Sequence, residues 1–127
     1  MDLRRFLVIV LLSSASQAVQ ARPPAAAPVT MIRTELYFGP VPIGQWNQFL
    51  AQIVTPLFPD GLTWFDVQGQ WRAPDGNIRK LPSRLLIILY PDSPKNDRAI
   101  DQMRQQFKIR FHQLSVLRVS SRVTAGL

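Results

Sequence analysis

The chain has 127 residues, carries a formal net charge of +7 and contains no cysteine and one histidine. That length accommodates one domain rather than two. The missing cysteines exclude disulfides, thiolate nucleophiles and thiolate metal sites, and a lone histidine excludes a Cys/His zinc cluster. The basic balance points either to an acidic partner or to an ordinary solvated surface; the cations are scattered, so charge alone names no partner.

The first residues read as an address. Arg4 and Arg5 precede an apolar run from Phe6 to Leu12, and small residues follow, with Val19 and Ala21 in the −3 and −1 positions of a secretory cleavage site. The run is too short to span a bilayer comfortably, so residues 1–21 are expected to be a signal peptide cleaved after Ala21. Residues 22–30, rich in Pro and Ala, read as an extended spacer, residues 31–122 as the folded domain, and residues 123–127 as a tail. Export to the periplasm or medium argues against ATP-driven chemistry and against a nucleic-acid partner.

Residues 31–38 alternate, with Ile32, Leu36 and Phe38 on one side and Arg33, Glu35 and Tyr37 on the other, which predicts a half-buried strand ended by Gly39 and Pro40. Trp46, Phe49, Leu50, Ile53 and Leu57 recur at helical spacing, and Pro56 marks the end of that helix. Its outer face, Gln45, Asn47, Gln48 and Gln52, carries no charge and reads either as a plain exposed face or as a polar contact surface. A second strand covers residues 62–71. Thr63, Phe65 and Val67 share one side; Trp64, Asp66 and Gln68 share the other, and Gly69 is expected to form a bulge. Ala73–Gly76 has the composition of a tight turn. The return strand is expected to be interrupted at Pro82 and then to run apolar through Leu85–Tyr90, the signature of a central strand buried on both faces. Ser93 and Pro94 open a second helix with Ile100, Met103, Phe107 and Phe111 inward and Arg104 and Lys108 as an outer basic strip. Leu114–Val123 supplies the last strand.

The order strand, helix, strand, strand, helix, strand predicts a ferredoxin-like βαββαβ α+β fold, with two helices on one face of a four-stranded antiparallel sheet. With Phe58, Phe65 and Trp71 assigned to the core, the uncovered face would hold Arg33, Glu35, Tyr37, Trp64, Asp66, Gln68 and Arg118. Of these, Tyr37, Glu35, Trp64, Asp66 and Arg118 are the candidate ligand-binding residues. The alternative is that Tyr37 and Trp64 simply pack on each other or under the spacer.

The segments LYFG, WNQFLAQIVTPLFPDGLT, DVQGQW and FHQLSVLRV together resemble a bacterial family, Domain of Unknown Function 3574, over residues 34–119. The joined residues Thr55, Pro56, Phe58, Pro59, Asp60, Gly61, Leu62 and Thr63, with Gly69, Gln70 and Trp71, carry that resemblance most specifically. The resemblance implies export and supplies no activity. The chain departs from the family's pattern at Ile43-Gly44-Gln45, where a Ser or Thr cap with acids is usual, and at Lys80-Leu81, where an acid is common. A site built on that acid would be absent.

Catalytic motifs are sparse. His112 has no apparent nucleophile beside it, and GPVPIG, with two prolines and no lysine, is not a phosphate loop. Glu35 and Asp66, if they share the open face two strands apart, would stand about 9–10 Å from each other, room for a water or small ligand. No catalytic residue, metal ligand or cofactor is assigned. The sequence favours a non-enzymatic exported module that binds a small ligand or forms a homodimer through the open sheet. A small enzyme with its pocket at that face, and electrostatic binding to an anionic envelope component through Arg98, Arg104, Lys108, Arg110 and Arg122, are the other readings.

Overall fold

The computed structural model describes residues 16–23 and 26–126, so the apolar leader segment Phe6–Leu12 lies outside the described residues. Strand β1 (Val29–Phe38) alternates as its sequence requires, burying Thr34, Leu36 and Phe38 on one side. Pro42 then starts helix α1 (Ile43–Phe49), accepting the Trp46 N–H at 3.0 Å; no side chain caps this end. The helix widens into one π turn over Leu50–Val54 and closes as α2 (Thr55–Leu57). The π turn lies directly before Thr55-Pro56. A proline inside a regular helix loses one backbone bond and clashes with the carbonyl four residues back, and a widened turn relieves that crowding. The extra residue rotates Val54 fully into the core, while Leu50, Ile53 and Leu57 pack at its rim.

Strands β2 (Thr63–Arg72) and β3 (Ile78–Tyr90) form a long hairpin. Its turn follows the chemistry of its residues: the Gly76 N–H reaches the Ala73 carbonyl at 2.9 Å, Gly76 sits at φ +84°, and Asp75 accepts the Asn77 N–H. Two expectations fail in this hairpin. Gly69 is not a bulge, because pairing runs in register from Val67↔Ser83 through Gly69↔Leu81 to Gln70↔Lys80. The glycine instead permits close approach, since a Cβ there would lie 3.1 Å from the Leu81 carbonyl oxygen. Pro82 does not interrupt β3 either. At that point only β2 lies beside the strand, because pairing with β1 begins at Arg84, and a sheet tolerates proline at such an edge.

Helix α3 (Pro94–Phe111) is capped by Ser93, whose hydroxyl accepts the Asn96 N–H at 3.1 Å, and it buries Ile100, Met103 and Phe107. It ends at His112, a left-handed residue at φ 53°, where the Gln113 N–H returns to the Lys108 carbonyl. Strand β4 (Leu117–Ala125) completes an antiparallel sheet of order β2-β3-β1-β4, the ferredoxin-like arrangement. Pairing of Val29 with Ala125 carries β1 and β4 beyond the boundaries read from the sequence. β3 is central, as expected, but only its helix-side residues Leu86, Ile88 and Tyr90 and the opposite Leu85 are buried; Leu89 is exposed.

The core lies between the helices and one sheet face. Phe38, Trp46, Phe49 and Phe107 form its aromatic centre, with ring centroids 4.6–6.4 Å apart. Beside it, buried Thr34 shares hydrogen bonds with the Tyr90 hydroxyl at 2.5 Å and the Ser120 hydroxyl at 2.7 Å. Thr34→Val keeps the shape but strips Tyr90 and Ser120 of this partner. We expect it to lower unfolding free energy by about 1–3 kcal/mol in urea denaturation, with a smaller additional loss when Tyr90→Phe is combined with it.

Candidate functional site

The sheet face opposite the helices has no covering layer among the described residues, and the ladder assigns its membership. Leu36 pairs with Leu86, and Leu86 with Trp64, which places Trp64 on the helix side. Its ring stands 5.6 Å from that of Trp46. The expected parity of β2 is therefore inverted. Trp64, Asp66 and Gln68 belong to the helix face, and Phe65 and Trp71, assigned above to the core, are 44% and 48% exposed on the open face. The reason is steric: the cavity beside Trp46 accepts the second indole edge-on, whereas Phe65 has Leu85 and Tyr37 as its row-mates.

Asp66 then lies across from Arg84, not from Glu35. Arg84 Nε donates to Asp66 at 3.0 Å, and the guanidinium stands 5.5 Å from the Trp46 ring centroid and 5.8 Å from that of Trp64. Arg84 Nη1 is buried without a conventional acceptor, and the indole faces provide its electron-rich surroundings. Glu35 and Asp66 are on opposite faces, so the paired-carboxylate arrangement does not exist.

Arg118 is corrected in the same way. It pairs with Leu36 and faces α3, where it donates to Asp97 and Asp101 and to the Ser120 hydroxyl. Burial disfavours its charge, but the bond to Asp97 and the charges of Tyr90, Asp97 and Asp101 outweigh that cost and hold its pKa above the ordinary guanidinium value. Its role is to latch β4 to α3. The expected outer basic strip also changes: Arg104 turns back to hold the Val116 carbonyl with two N–H groups and Asp101 with a third. Arg122 pairs with Asp92.

Glu35 and Tyr37 do sit on the open face, with Arg33. Arg33 approaches Glu35 to 2.9 Å, and the Tyr37 hydroxyl donates to the other Glu35 oxygen at 3.1 Å. Around this trio the face is apolar: Phe65 and Trp71 from β2, Leu81 and Leu89 from β3, and Leu117 and Val119 from β4 are all exposed there. Sequence reasoning missed this surface because it placed Phe65 and Trp71 inside. The alternation of β2 carries no signal for the choice, because Leu62 and Trp64 on one side and Phe65 and Val67 on the other are all apolar.

At one end of the face, a concavity of about 440 Å³ opens between the end of β1, the hairpin stem and the α3–β4 loop. Gln113 lies across Gly39, where any Cβ would collide with its side-chain oxygen. His112, Gln113, Gln70, Ser83 and Tyr37 bring polar atoms to its walls. Among the described residues no group of three or more His, Cys, Asp or Glu is arranged to hold a metal ion, and no helix is long and apolar enough to cross a membrane.

The family described as "Protein of unknown function (DUF3574)" matches residues 33–126, and the chain belongs to it. No curated protein matches the chain. Two solved structures share its fold. A phage SAM lyase in complex with S-methyl-5'-thioadenosine superposes with a TM-score of 0.57 at 10% identity, over 76% of this chain and 90% of that one. CPII, a nitrogen regulatory PII-like protein from Thiomonas intermedia K12 bound to ADP, AMP and bicarbonate, gives 0.51 at 12% identity, over 80% and 98%. At such identities the likeness is one of fold.

The Tyr37 hydroxyl provides a test of the central trio. Its bond to Glu35, then burial and the Glu35 charge, raise its pKa above the ordinary 10.0, against a smaller opposing effect of Arg33. A pKa raised on folding gives stability that is complete below the unfolded value and is lost as pH rises through the folded one. Alkaline titration of phenolate absorbance should show Tyr37 ionising late. Glu35→Gln should bring that transition down, and Tyr37→Phe should remove it.

Proposed function

We propose that this protein is an exported, non-enzymatic module that self-associates through its open sheet face. The observation that carries the reading is the make-up of that face. Phe65, Trp71, Leu81, Leu89, Leu117 and Val119 are exposed together on one side of one sheet, although a soluble chain has ample polar residues to place there.

A second copy of this chain is the occupant that the charges favour. The protein as a whole is strongly cationic, yet at the centre of this face Arg33 is neutralised by Glu35, and at its rim Arg79 is held by Asp75. Two identical copies can therefore meet face to face without bringing unpaired cations together. An acidic partner would find no free cation there. Four strands spaced about 4.8 Å apart, each about 30 Å long, give roughly 600 Å² of plane per copy. That approaches the ~800 Å² of accessible area per partner in standard interfaces.

The carboxylates argue against an enzyme. Glu35, Asp66, Asp75, Asp92, Asp97 and Asp101 are each held by an arginine, and a general base has to be free to accept a proton. The adenosine-bearing ligands of the two fold neighbours belong to proteins that share only 10% and 12% of residues with this chain, and they assign no ligand to it.

Light scattering on residues 22–127 should give the mass of a closed oligomer. Leu89→Arg, at an exposed position that leaves the core intact, should reduce it to one chain with a native circular dichroism spectrum and make the unfolding midpoint independent of protein concentration. A wild-type monomer at high concentration would refute the reading. Export has its own test: fractionation of cells expressing the full chain should place the protein outside the cytoplasm, with an N-terminus at Arg22. Cytoplasmic protein that retains Met1 would remove that part of the proposal.

A further inference from the structure

The concavity at the end of the open face is a built feature, and its chemistry selects a ligand. Three elements that are remote in sequence converge on it: Tyr37 at the end of β1, Gln70 and Ser83 from the hairpin stem, and His112 and Gln113 from the α3–β4 loop. The loop's shape is constrained. His112 holds a left-handed conformation at φ 53°, uncommon for a residue with a Cβ, and this directs the chain so that Gln113 lies over Gly39. On the facing wall, Gly69 adds no side chain, and its close approach to the Leu81 carbonyl holds the two strands tight there.

The walls carry hydrogen-bonding groups without fixed charge. Among the described residues no carboxylate, ammonium or guanidinium lines the space. The Gln113 amide donates and accepts, and the His112 ring adds a second polar group. Tyr37 and Ser83 are more restricted. Their protons are committed to Glu35 and to the Leu81 carbonyl, so towards the concavity their oxygens act as acceptors. A phosphate or carboxylate would meet these two acceptors and a nearby carboxylate, with few donors to hold it. A cation would find no free anion, because Glu35 is already paired with Arg33. The remaining wall is aliphatic, with Leu81 and Leu117 and no facing pair of aromatic rings to sandwich a nucleobase.

Hydroxyl-bearing molecules with C–H faces satisfy all of these conditions. We infer that this concavity is a binding site for a neutral saccharide, with Gln113 and the Tyr37 and Ser83 oxygens contacting its hydroxyls and Leu81 and Leu117 its apolar face. A volume of about 440 Å³ is within the range of small-molecule pockets and suits one or two sugar rings. The site is complete within one chain, but Leu81 and Leu117 also belong to the open face, so a second copy that covers this face competes with the ligand for them.

The test is an amide-resolved NMR titration of residues 22–127 with N-acetylglucosamine and its β-1,4-linked disaccharide, using glucuronate as the charged control. It is run on the wild type and on Leu89→Arg, whose substitution lies at the other end of the face. The expected result is saturable shifts confined to the amides of Gly39, Gly69, Gln113 and Ser115 in Leu89→Arg, with weaker binding in the self-associated wild type. Gln113→Ala combined with Leu117→Ala, at a half-buried and an exposed position outside the core, should weaken binding about tenfold or more while the remaining spectrum stays native. The inference is overturned by an absence of saturable shifts in both forms, by binding that survives the double substitution, or by tighter binding of glucuronate. If Leu89→Arg leaves the oligomeric mass unchanged, the self-association reading fails and the sugar titration still decides the site.

Discussion

The arrangement turns on Trp46. Its fully buried ring packs with Phe38 from the sheet, Phe49 from its own helical segment and Phe107 from α3, and it receives Trp64 edge-on from β2. Four elements are thereby tied to one side chain. The contact with Trp64 also sets the parity of β2, and in a strand parity is all or nothing, because a shift of one residue exchanges the two faces completely. Once Trp64 is inside, Asp66 must lie against Arg84, and Phe65 and Trp71 must point outward. The apolar open face follows from the packing of the opposite side.

The same constraint organises charge. Arg84 is stacked near both indoles and held by Asp66, while Arg118 is held by Asp97 and Asp101 across the gap between β4 and α3. The acids of the helix face are thus consumed in fastening arginines to the layer that covers the core. Such half-buried pairs add orientation more than net stability, since the desolvation of each guanidinium offsets much of the attraction. The excess of cations then falls to exposed positions such as Lys95 and Arg98 on α3. The open face is left nearly free of unpaired charge in a protein that is cationic overall.

The topology, the helix core positions and the β2–β3 turn were legible in the sequence, because each rests on a local period or a turn composition that the chain states directly. β1 was legible for the same reason: Leu36 and Phe38 alternate with Glu35 and Tyr37 without ambiguity. β2 was not. Leu62, Trp64, Phe65 and Val67 put large apolar residues on both sides, so alternation could not say which side meets the helices. The choice is made by Trp46, which is remote in sequence. Arg118 misled for a related reason. A charged residue in an alternating strand reads as outward-facing, and here the inward face meets the acidic first turns of α3 rather than the apolar core. Pro82 and Gly69 were read as breaks because their local rules assume a central strand, and each lies where β3 has one neighbour only.

The fold neighbours sharpen what the site must rest on. A phage lyase and a PII-like regulator carry this backbone with little sequence in common with the chain, so the backbone alone does not select a function. What distinguishes this chain is the placement of side chains on a common frame. Among the described residues every acidic side chain but Asp60 is held by an arginine, the open face is apolar around one neutral ion pair, and the end pocket is polar without fixed charge. Each of these disfavours chemistry that moves protons or phosphates, and each favours recognition by contact. A small domain with no disulfide to brace it also gains from covering an apolar sheet with its own kind, because burying that face adds to the core that a chain of this length can build. Under the proposed self-association, assembly and stability become one property of the same surface, and the end pocket, which shares Leu81 and Leu117 with it, couples ligand occupancy to assembly.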